Sequence, residues 1–402
     1  MLTSLKVRDY KCYRGDIVVP LRRLSILLGK NSSGKTAAAR LPLLLLASAA
    51  RRARQFREPV PLTTRGLEYG SSIAELVHGG NPHSDLGIGC TVQPPGADTE
   101  LDFSVKLQLR QTLGAGRQSF VAEFVATPLL PPVTWVPDLL RDEVRYGDAS
   151  PVREFDGVLP RYSDARLQRV VDTIRTESGK LLDAFVHLTS LRRPLDMVYE
   201  NRSPHGEADP TGVDVPYLLN DSDALLNAVA NWYHRSLGTR IEISREAAAF
   251  RLMARDPSSA AHNLARAGQG IQQVLPVATH LQAMALRLGT QFLVVEEPEL
   301  NLHPAAHAAL ADLAVEAGHA NQNAQILVET HSENLVLRLR THVARGLLDP
   351  ASVNLLWFQQ DAGATTVQEI LINPDGSVSD WPLGVFSEDL AEARAIATAS
   401  HP

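Results

Sequence analysis

The stretch that decides the fold runs from residue 24 to residue 36 and reads LSILLGKNSSGKT. Its apolar beginning favours a buried strand, and the alanine- and leucine-rich run after residue 36 favours a helix. The turn between them fits G-x-x-x-x-G-K-[ST], in which glycines let successive backbone N–H groups converge on phosphate oxygens at a helix N-terminus. An ordinary glycine turn capping a helix is the alternative, but this strand and helix context favours a phosphate-binding loop. The residues of this predicted P-loop are Gly29, Lys30, Asn31, Ser32, Ser33, Gly34, Lys35 and Thr36.

Two P-loop side chains carry chemistry. Lys35 is predicted to reach the β- and γ-phosphates of a nucleotide, and the Thr36 hydroxyl to ligate Mg²⁺. Only six of the 39 basic residues are lysine. Lys35 stands where a compact ammonium fits a phosphate-wrapping loop better than an arginine fork, whereas the motif sets no requirement on the side chain of Lys30.

A second apolar run ends in two acids. Residues 292–295 read FLVV, and Glu296 and Glu297 follow. Ligands collect at the carboxyl ends of strands in doubly wound sheets. Glu296 is therefore predicted to hold Mg²⁺ through water, and Glu297 to orient and deprotonate an attacking water. Two solvated acids at the start of a loop are the alternative.

Two further segments can contact phosphate. His331 follows the apolar run 326–328 and can sense the γ-phosphate, although a histidine at a strand end often has a structural role. Gly268, Gly270 and Gln272 form a glycine-rich turn before an apolar helix. Such a turn can offer N–H groups to a second phosphate site, and a plain turn before a core helix is the alternative.

Composition and periodicity describe the rest of the chain. The 402 residues carry a net charge of −6, with 44% hydrophobic and 21% charged residues, which excludes general disorder and a wholly basic nucleic-acid coat. The two cysteines provide neither a disulfide framework nor a zinc site. The N-terminus lacks a signal-peptide pattern, and the longest apolar run, 41–50, is about half the ~20 residues of a membrane span. A cytoplasmic protein without membrane contact is expected.

Local patterns predict the remaining elements. Residues 84–127 alternate and favour an antiparallel meander, residues 163–190 and 222–237 favour helices, and the proline-rich residues 128–162 are expected to be irregular.

The segments GKNSSGKT (29–36), EEPELNLHP (296–304) and ETHSE (329–333), together with the second glycine turn, resemble an ABC-type ATPase head of the SMC and OLD kind. They are particularly similar to small bacterial ATPases described as AAA proteins, which end in a motif like DGSVSDWPLGVF (375–386). The resemblance implies an α/β P-loop NTPase with an antiparallel β lobe and a helical insertion. Its implied segments are the N-terminal part of the head at 1–132, the insertion at 133–240, the C-terminal part at 241–350, and a hairpin and tail of unknown function at 351–402.

The resemblance also implies roles. Glu296 takes the magnesium position, where such heads commonly carry Asp, Glu297 the hydrolytic base and His331 the switch histidine. Gly268–Gln273, hereafter the signature segment, would cap the ATP of a partner subunit. ATP and Mg²⁺ are the implied cofactors, and the implied partners are a second copy joined through an ATP sandwich and a separately encoded effector, in anti-phage defence or DNA maintenance. An ATP-binding switch with little hydrolysis is the alternative.

Two departures bear on that resemblance. Gln272 stands where such signatures commonly place serine, and no glutamine occurs in residues 66–81, where the Q-loop is expected.

About 70 residues follow His331 without a second acidic cluster, so the chain is not expected to be a nuclease. A membrane-transport subunit and long-range DNA tethering are likewise not expected.

Arginine clusters and a tryptophan remain open. The arginines could bind nucleic acid or complement helix dipoles, and Trp381 could close the last hairpin or form a docking patch. The arginines are Arg51, Arg52, Arg54, Arg57, Arg338, Arg340 and Arg345.

Overall fold

A computed structural model describes most of the chain. The described residues are 1–51, 59–81, 84–94, 96, 98–112, 116–134, 152–201, 208–256, 260–378 and 381–382. The helices are α1 (Lys35–Ala50), α2 (Ala165–Asp183), α3 (Val215–Asp221), α4 (Asp223–Leu237), α5 (Gln269–Gln273), α6 (Leu275–Ala285), α7 (Pro304–Ala320) and α8 (Glu333–Ala344). The strands are β1 (Leu2–Arg8), β2 (Asp16–Pro20), β3 (Leu24–Gly29), β4 (Thr63–Thr64), β5 (Leu67–Glu68), β6 (Leu86–Val92), β7 (Leu101–Thr112), β8 (Gly116–Thr127), β9 (Leu130–Thr134), β10 (Val152–Asp156), β11 (Leu159–Tyr162), β12 (Phe185–Leu188), β13 (Tyr199–Glu200), β14 (Arg240–Arg245), β15 (Ala249–Arg255), β16 (His262–Asn263), β17 (Phe292–Glu296), β18 (Gln325–Glu329), β19 (Val353–Asp361) and β20 (Ala364–Ile370).

A six-stranded central sheet carries the P-loop. Its strand order is β12-β17-β18-β3-β19-β20, and its strands pair in parallel except for β19 with β20. Every residue of β3, β17 and β18 is buried, as expected for parallel strands covered on both faces. β3 lies between β18 and β19, and β18 separates it from β17. The carboxyl end of β18 is therefore nearer to the P-loop than that of β17.

Two hydrophobic clusters cover the faces of this sheet. Ile26 and Leu28 belong to one cluster, and Leu27, between them, belongs to the other. The first cluster draws on α6, α7 and α8, and the second on α1 and the antiparallel lobe. The alternation of strand side chains thus locks β3 between two packed layers.

The antiparallel lobe is a second six-stranded sheet with the order β2-β1-β6-β7-β8-β9. Strands β6, β7 and β8 form the meander predicted for 84–127. The expectation of irregular chain over 128–162 was wrong where the structure describes it, because β9 pairs with β8 and β10 pairs with β11. Residues 135–151 lie outside the described residues.

The helix predicted over 163–190 ends earlier than expected. Helix α2 stops at Asp183, and residues 185–188 form β12, which pairs in parallel with β17. All four residues of β12 are buried, whereas Val171 is the buried residue of α2. Periodicity alone does not reveal that FVHL, a short run with three apolar residues after an amphipathic helix, is a strand.

The predicted segment boundaries stay a prediction, but the segments do not correspond to separate sheets. The central sheet takes β3, β12, β17 with β18, and β19 with β20 from the four predicted segments in turn. The hairpin after residue 351 is therefore part of the sheet beside the P-loop strand. The predicted α/β architecture with an antiparallel lobe is confirmed. Within the described part of the chain, no helix combines the length and apolarity needed to cross a membrane.

Candidate nucleotide-binding site

The path of the P-loop depends on its two glycines. Gly29 has a φ of 151° and Gly34 a φ of 101°, angles that favour glycine. A Cβ on Gly29 would lie 2.3 Å from the carbonyl oxygen of Phe358, and one on Gly34 would lie 2.7 Å from Sγ of Cys12. Glycine is therefore required at both positions by conformation and by space.

Helix α1 begins at Lys35, within the P-loop motif, and its first turn has no side-chain cap. Gly34 is the N-cap residue. The first N–H groups of a helix have no intrahelical partner and attract anions. The loop is braced from outside, since Tyr13 Oη donates to the Gly34 carbonyl at 2.7 Å and Thr365 Oγ1 donates to the Ser33 carbonyl at 3.0 Å.

Lys35 is folded back into the loop. Its Nζ donates to the carbonyls of Gly29 at 3.0 Å and Lys30 at 2.9 Å, and it lies 3.8 Å from Glu329 Oε1. Burial lowers the pKa of Lys35, while the carboxylates of Glu329 and Glu297 act in the opposite direction. The ammonium thus sits inside the loop that the motif predicts to wrap phosphate.

A cleft of about 290 Å³ opens beside this loop. It brings together the P-loop, Glu297 and His331, which are far apart in the sequence, and adds three residues that the sequence did not single out: Cys12, Ala37 and Glu329. The lining residues are Cys12, Asn31, Ser32, Ser33, Gly34, Lys35, Thr36, Ala37, Glu297, Glu329 and His331.

Glu329 is the carboxylate in contact with Thr36. The Thr36 hydroxyl lies 3.1 Å from Oε1 and 3.0 Å from Oε2 of Glu329, which is 5% exposed at the end of β18. Burial raises the pKa of Glu329; the Lys35 ammonium opposes this rise, the Glu296 carboxylate adds to it, and the resulting pKa is about 7.

Glu296 is held by other residues. Its Oε1 accepts from Arg40 Nε at 2.9 Å and lies 2.9 Å from His187 Nε2. Its Oε2 accepts from Arg40 Nη2 at 3.3 Å and from the Ser190 N–H at 3.4 Å. Burial alone would raise the pKa of Glu296, but His187 and Arg40 outweigh it and lower that pKa to about 2. The structure does not show Glu296 in contact with Thr36, and its role as a magnesium ligand stays a prediction.

Glu297 and His331 lie where backbone contacts fix the two strand ends. Glu297 adopts a φ of 45°, and its N–H donates to the Glu329 carbonyl at 2.7 Å. The His331 N–H and the Thr330 hydroxyl donate to Glu299 Oε1 at 2.8 and 2.7 Å. The buried Glu299 therefore ties the loop after β17 to the histidine segment. The predicted catalytic roles of Glu297 and His331 are not tested by these contacts.

The signature segment does not line the cleft of its own chain. Gly268 caps the five-residue helix α5, and a Cβ on Gly270 would lie 2.2 Å from the Asn301 carbonyl oxygen. Gln272 Nε2 donates to the carbonyls of Ala265 at 3.2 Å and Ala267 at 2.8 Å. Its Oε1 accepts from the Leu195 N–H at 3.3 Å. Capping of a partner's ATP by this segment stays a prediction.

A buried arginine connects the signature segment to the acid strand. Arg192 is 4% exposed, and its guanidinium donates to the carbonyls of Glu296 at 2.5 Å, Glu297 at 3.3 Å and Gln273 at 3.4 Å. Burial lowers the pKa of Arg192 to about 10. Sequence reasoning assigned this residue no role, because a single arginine in a loop carries no pattern.

Three site residues, Glu329, Arg40 and His187, were not predicted from the sequence, and they differ in how far the sequence pattern pointed to them. Glu329 was visible as an acid at a strand end, but the sequence did not show which strand lies beside the P-loop. Arg40 carried no signal beyond its place on the P-loop helix. His187 lies in β12, which the sequence predicted as helix.

The oxygen donors of the cleft suit a magnesium ion. Mg²⁺ is usually bound through one or two carboxylates, with waters and substrate phosphates as its other ligands. Thr36 and Glu329 supply a hydroxyl and a carboxylate, and no group of three or more His, Cys, Asp or Glu side chains able to hold a metal occurs among the described residues. A hydroxyl and a carboxylate fit a magnesium ion whose remaining ligands are waters and nucleotide phosphates.

The arginines on α8 are used within the chain. Arg338 donates to both oxygens of Asp312 at 2.7 and 3.0 Å. Arg340 Nε donates to the Gly376 carbonyl at 2.8 Å, and its guanidinium lies 6.0 Å from the Trp381 ring centroid. Trp381 also packs against the core, which favours closure of the hairpin over a docking patch. Arg52, Arg54 and Arg57 lie outside the described residues.

Comparisons with known proteins show what this chain is similar to. Residues 218–336, which include Glu296, Glu297 and His331 but not the P-loop, match the family described as AAA ATPase domain. No curated protein matches the sequence. The structure is similar to an Smc head bound to the C-winged helix domain of ScpA, with a TM-score of 0.53, 12% identity, and coverage of 92% of this chain and 98% of that chain.

A second solved structure is similar as well. It is the Smc head domain with an extended coiled coil bound to the C-terminal domain of ScpA from Pyrococcus furiosus, with a TM-score of 0.50, 10% identity, and coverage of 100% of this chain and 99% of that chain. The fold is therefore that of a P-loop NTPase. More narrowly, it is similar to the fold of Smc heads. This similarity and the match to an ATPase domain over 218–336 support ATP binding and hydrolysis.

Proposed function

We propose that this protein is a Mg²⁺-dependent ATPase that converts ATP and water to ADP and phosphate. One observation carries the proposal: Lys35 and Thr36 of a complete P-loop open onto a single cleft with Glu297, Glu329 and His331. Phosphoryl transfer depends mainly on positioning and charge stabilisation, and this cleft supplies groups for both.

The side chains divide the reaction between them. The Lys35 ammonium exchanges its two loop carbonyls for β- and γ-phosphate oxygens. Glu297 accepts a proton from the attacking water as its oxygen bonds to the γ-phosphorus and the bond to the ADP oxygen breaks. His331 contacts the γ-phosphate and braces that water. Bound Mg²⁺ supplies further neutralisation of the phosphate charge.

Replacing the proposed base tests the reaction. Glu297→Gln should bind ATP with wild-type affinity and hydrolyse it on the order of 10²–10⁴-fold more slowly, because general base catalysis contributes that much. Phosphate release and equilibrium ATP binding are measured in parallel, with the exposed Glu316→Gln on α7 as the matched control. Hydrolysis at the wild-type rate by Glu297→Gln would remove Glu297 from the mechanism.

We further propose that two copies associate through ATP, with the signature segment of each facing the nucleotide of the other. The support is that the cleft is open and the segment Gly268–Gln273 does not line it. A dimer-dependent ATPase must show specific activity that rises with protein concentration. A flat specific activity would contradict trans-capping.

The bonding of Gln272 favours a second candidate, an ATP-binding switch with slow hydrolysis. Its amide is satisfied by Ala265, Ala267 and Leu195 of the same chain, so it must break these bonds before it can reach a partner's nucleotide. Single-turnover hydrolysis at high protein concentration separates the two. Turnover that stays slow under those conditions supports the switch.

The proposed cellular role is control of a separately encoded effector in the cytoplasm, in anti-phage defence or DNA maintenance. The support is the resemblance of the motifs and the similar Smc heads, which were crystallised bound to ScpA domains. Co-purification with the products of neighbouring genes, in ATP and in ADP, tests this role. A partner retained equally in both nucleotides would not fit ATP-dependent control.

A further inference from the structure

Two carboxylates end neighbouring strands of the central sheet, and their surroundings differ. Glu296 and Glu329 are register partners at the ends of β17 and β18. Of the two strands that carry these carboxylates, β18 pairs directly with β3, whose end begins the P-loop, and β17 does not. Glu329 is the register partner of Leu27 in that pair. The topology therefore places Glu329 one strand closer to the P-loop than Glu296.

The contacts of Glu329 involve both P-loop side chains. Both of its oxygens lie within 3.1 Å of the Thr36 hydroxyl, and one lies 3.8 Å from Lys35 Nζ. When phosphate binds, the Lys35 ammonium would turn to it, and the Thr36 hydroxyl would direct a lone pair to the accompanying cation. The Glu329 carboxylate would then face the same cation. Oxygen donors of this kind are the ligands that Mg²⁺ prefers.

The contacts of Glu296 instead tie three structural elements together. Arg40 reaches it from α1, His187 from β12, and the Ser190 N–H from the loop after β12. Four donor groups thus surround a 4% exposed carboxylate. Metal binding there would require Arg40 and His187 to give up their acceptor, and an unpaired buried charge or donor is costly.

We propose that Glu329 is the carboxylate that holds Mg²⁺ together with Thr36, and that Glu296 is a positioning residue that fixes the end of β17 so that Glu297 faces the cleft. This inference rests on the proposed ATPase function, since the metal arrives with the nucleotide. The metal ligand thus lies on β18, and the acid on β17 has a structural role.

Nucleotide binding with and without magnesium tests this assignment without measuring hydrolysis. A non-hydrolysable fluorescent ATP analogue is titrated into wild type, Glu329→Gln and Glu296→Gln, each in excess Mg²⁺ and in EDTA. Wild type should bind more tightly with Mg²⁺. Glu329→Gln should lose that enhancement by a factor on the order of 10–100, the usual cost of disturbing a metal site, while its binding in EDTA is no weaker than that of wild type.

The Glu296 variant tests the second half of the proposal, the structural role of Glu296. Glu296→Gln should keep the Mg²⁺ enhancement and show a lower unfolding temperature, because it loses the charge that pairs with Arg40. An enhancement that survives in Glu329→Gln would overturn the inference, as would one that disappears only in Glu296→Gln. If Glu296→Gln does not fold, Glu329→Gln still decides. Failure of wild type to bind the analogue in either buffer would instead overturn the proposed function, and this inference with it.

Paramagnetic resonance of Mn²⁺ gives an independent readout. Mn²⁺ with the same analogue should produce a protein-bound signal in wild type that weakens in Glu329→Gln and in Thr36→Ala. A purely structural role for Glu329 would change the unfolding temperature but not this signal. A bound signal of wild-type strength in Glu329→Gln would contradict the inference.

Discussion

The P-loop and the signature segment are both glycine-rich turns before a helix, yet their glycines meet different needs. Gly34 needs glycine for its left-handed backbone, with a φ of 101°. Gly270 lies inside α5 and needs glycine for space, because a Cβ would lie 2.2 Å from the Asn301 carbonyl oxygen. The same residue type thus shapes an open loop in one case and a close packing contact in the other.

The two turns also differ in what they present. Lys35 and Thr36 line an open cleft, whereas the Gln272 amide is bonded to carbonyls of its own chain. The side chains of the P-loop therefore already face the cleft. Under the proposed capping of a partner's ATP, Gln272 must first exchange these hydrogen bonds, so damage to the two turns should have separable effects.

Among changes to these two turns, the largest effect is expected at the P-loop lysine. Lys35→Ala should reduce ATP hydrolysis on the order of 10²–10³-fold, because it removes the charge that faces the developing phosphate charge, and should also weaken ATP binding. Calorimetric titration and phosphate release measure the two effects. Lys180→Ala, exposed on α2 and paired with Glu177, is the matched control. Wild-type ATP affinity in Lys35→Ala would show that the cleft is not the nucleotide site.

A methyl group on Gly270 of the signature segment should lower the stability of the fold rather than ATP binding to the P-loop of the same chain. Gly270→Ala should lower the free energy of unfolding by about 3 kcal/mol, the upper part of the usual cost of overpacking, since the clash is with backbone. Gly268→Ala adds its methyl group to open space and should change stability little. Chemical denaturation measures both. Equal stability of the two variants would show that Gly270 is not confined as the structure indicates.

Much of this comparison could be predicted from sequence, but not its deciding contacts. The apolar runs 292–295 and 326–328, each followed directly by an acid, identify β17 and β18 as strands that end in polar residues. The order of strands in the sheet is a tertiary property, and only that order shows that Glu329 lies beside Thr36. His187, a partner of Glu296, was missed because the short run FVHL after α2 fits a helix as well as a strand.

A buried histidine in α6, the helix that follows the signature segment, should make the stability of the fold depend on pH. His280 of α6 is fully buried, and burial lowers its pKa to about 4, against about 6.5 in an unfolded chain. The unfolded state therefore binds a proton first as the pH falls. Stability should be fully present above pH 6.5 and decrease below it, by about 2 kcal/mol at pH 5 from this group.

The contribution of His280 can be isolated by substitution. His280→Gln should flatten the dependence of the unfolding temperature on pH between 7 and 5, while the exposed His319→Gln keeps the wild-type slope. Identical slopes in all three proteins would mean that His280 is not held neutral. ATP binding to the P-loop at pH 7 should be unaffected in both variants.

The smallest effect is expected at Gln272, and it separates the two candidate functions. Gln272→Ala removes three hydrogen bonds to partly buried backbone groups and should cost about 1 kcal/mol, because net contributions are small where water can replace the lost partner. ATP affinity at low protein concentration should not change, since Gln272 does not line the cleft. Specific activity at high concentration decides the rest: a fall in Gln272→Ala means that the amide leaves its bonds to cap a partner's ATP, and no change means that the side chain only holds its own loop.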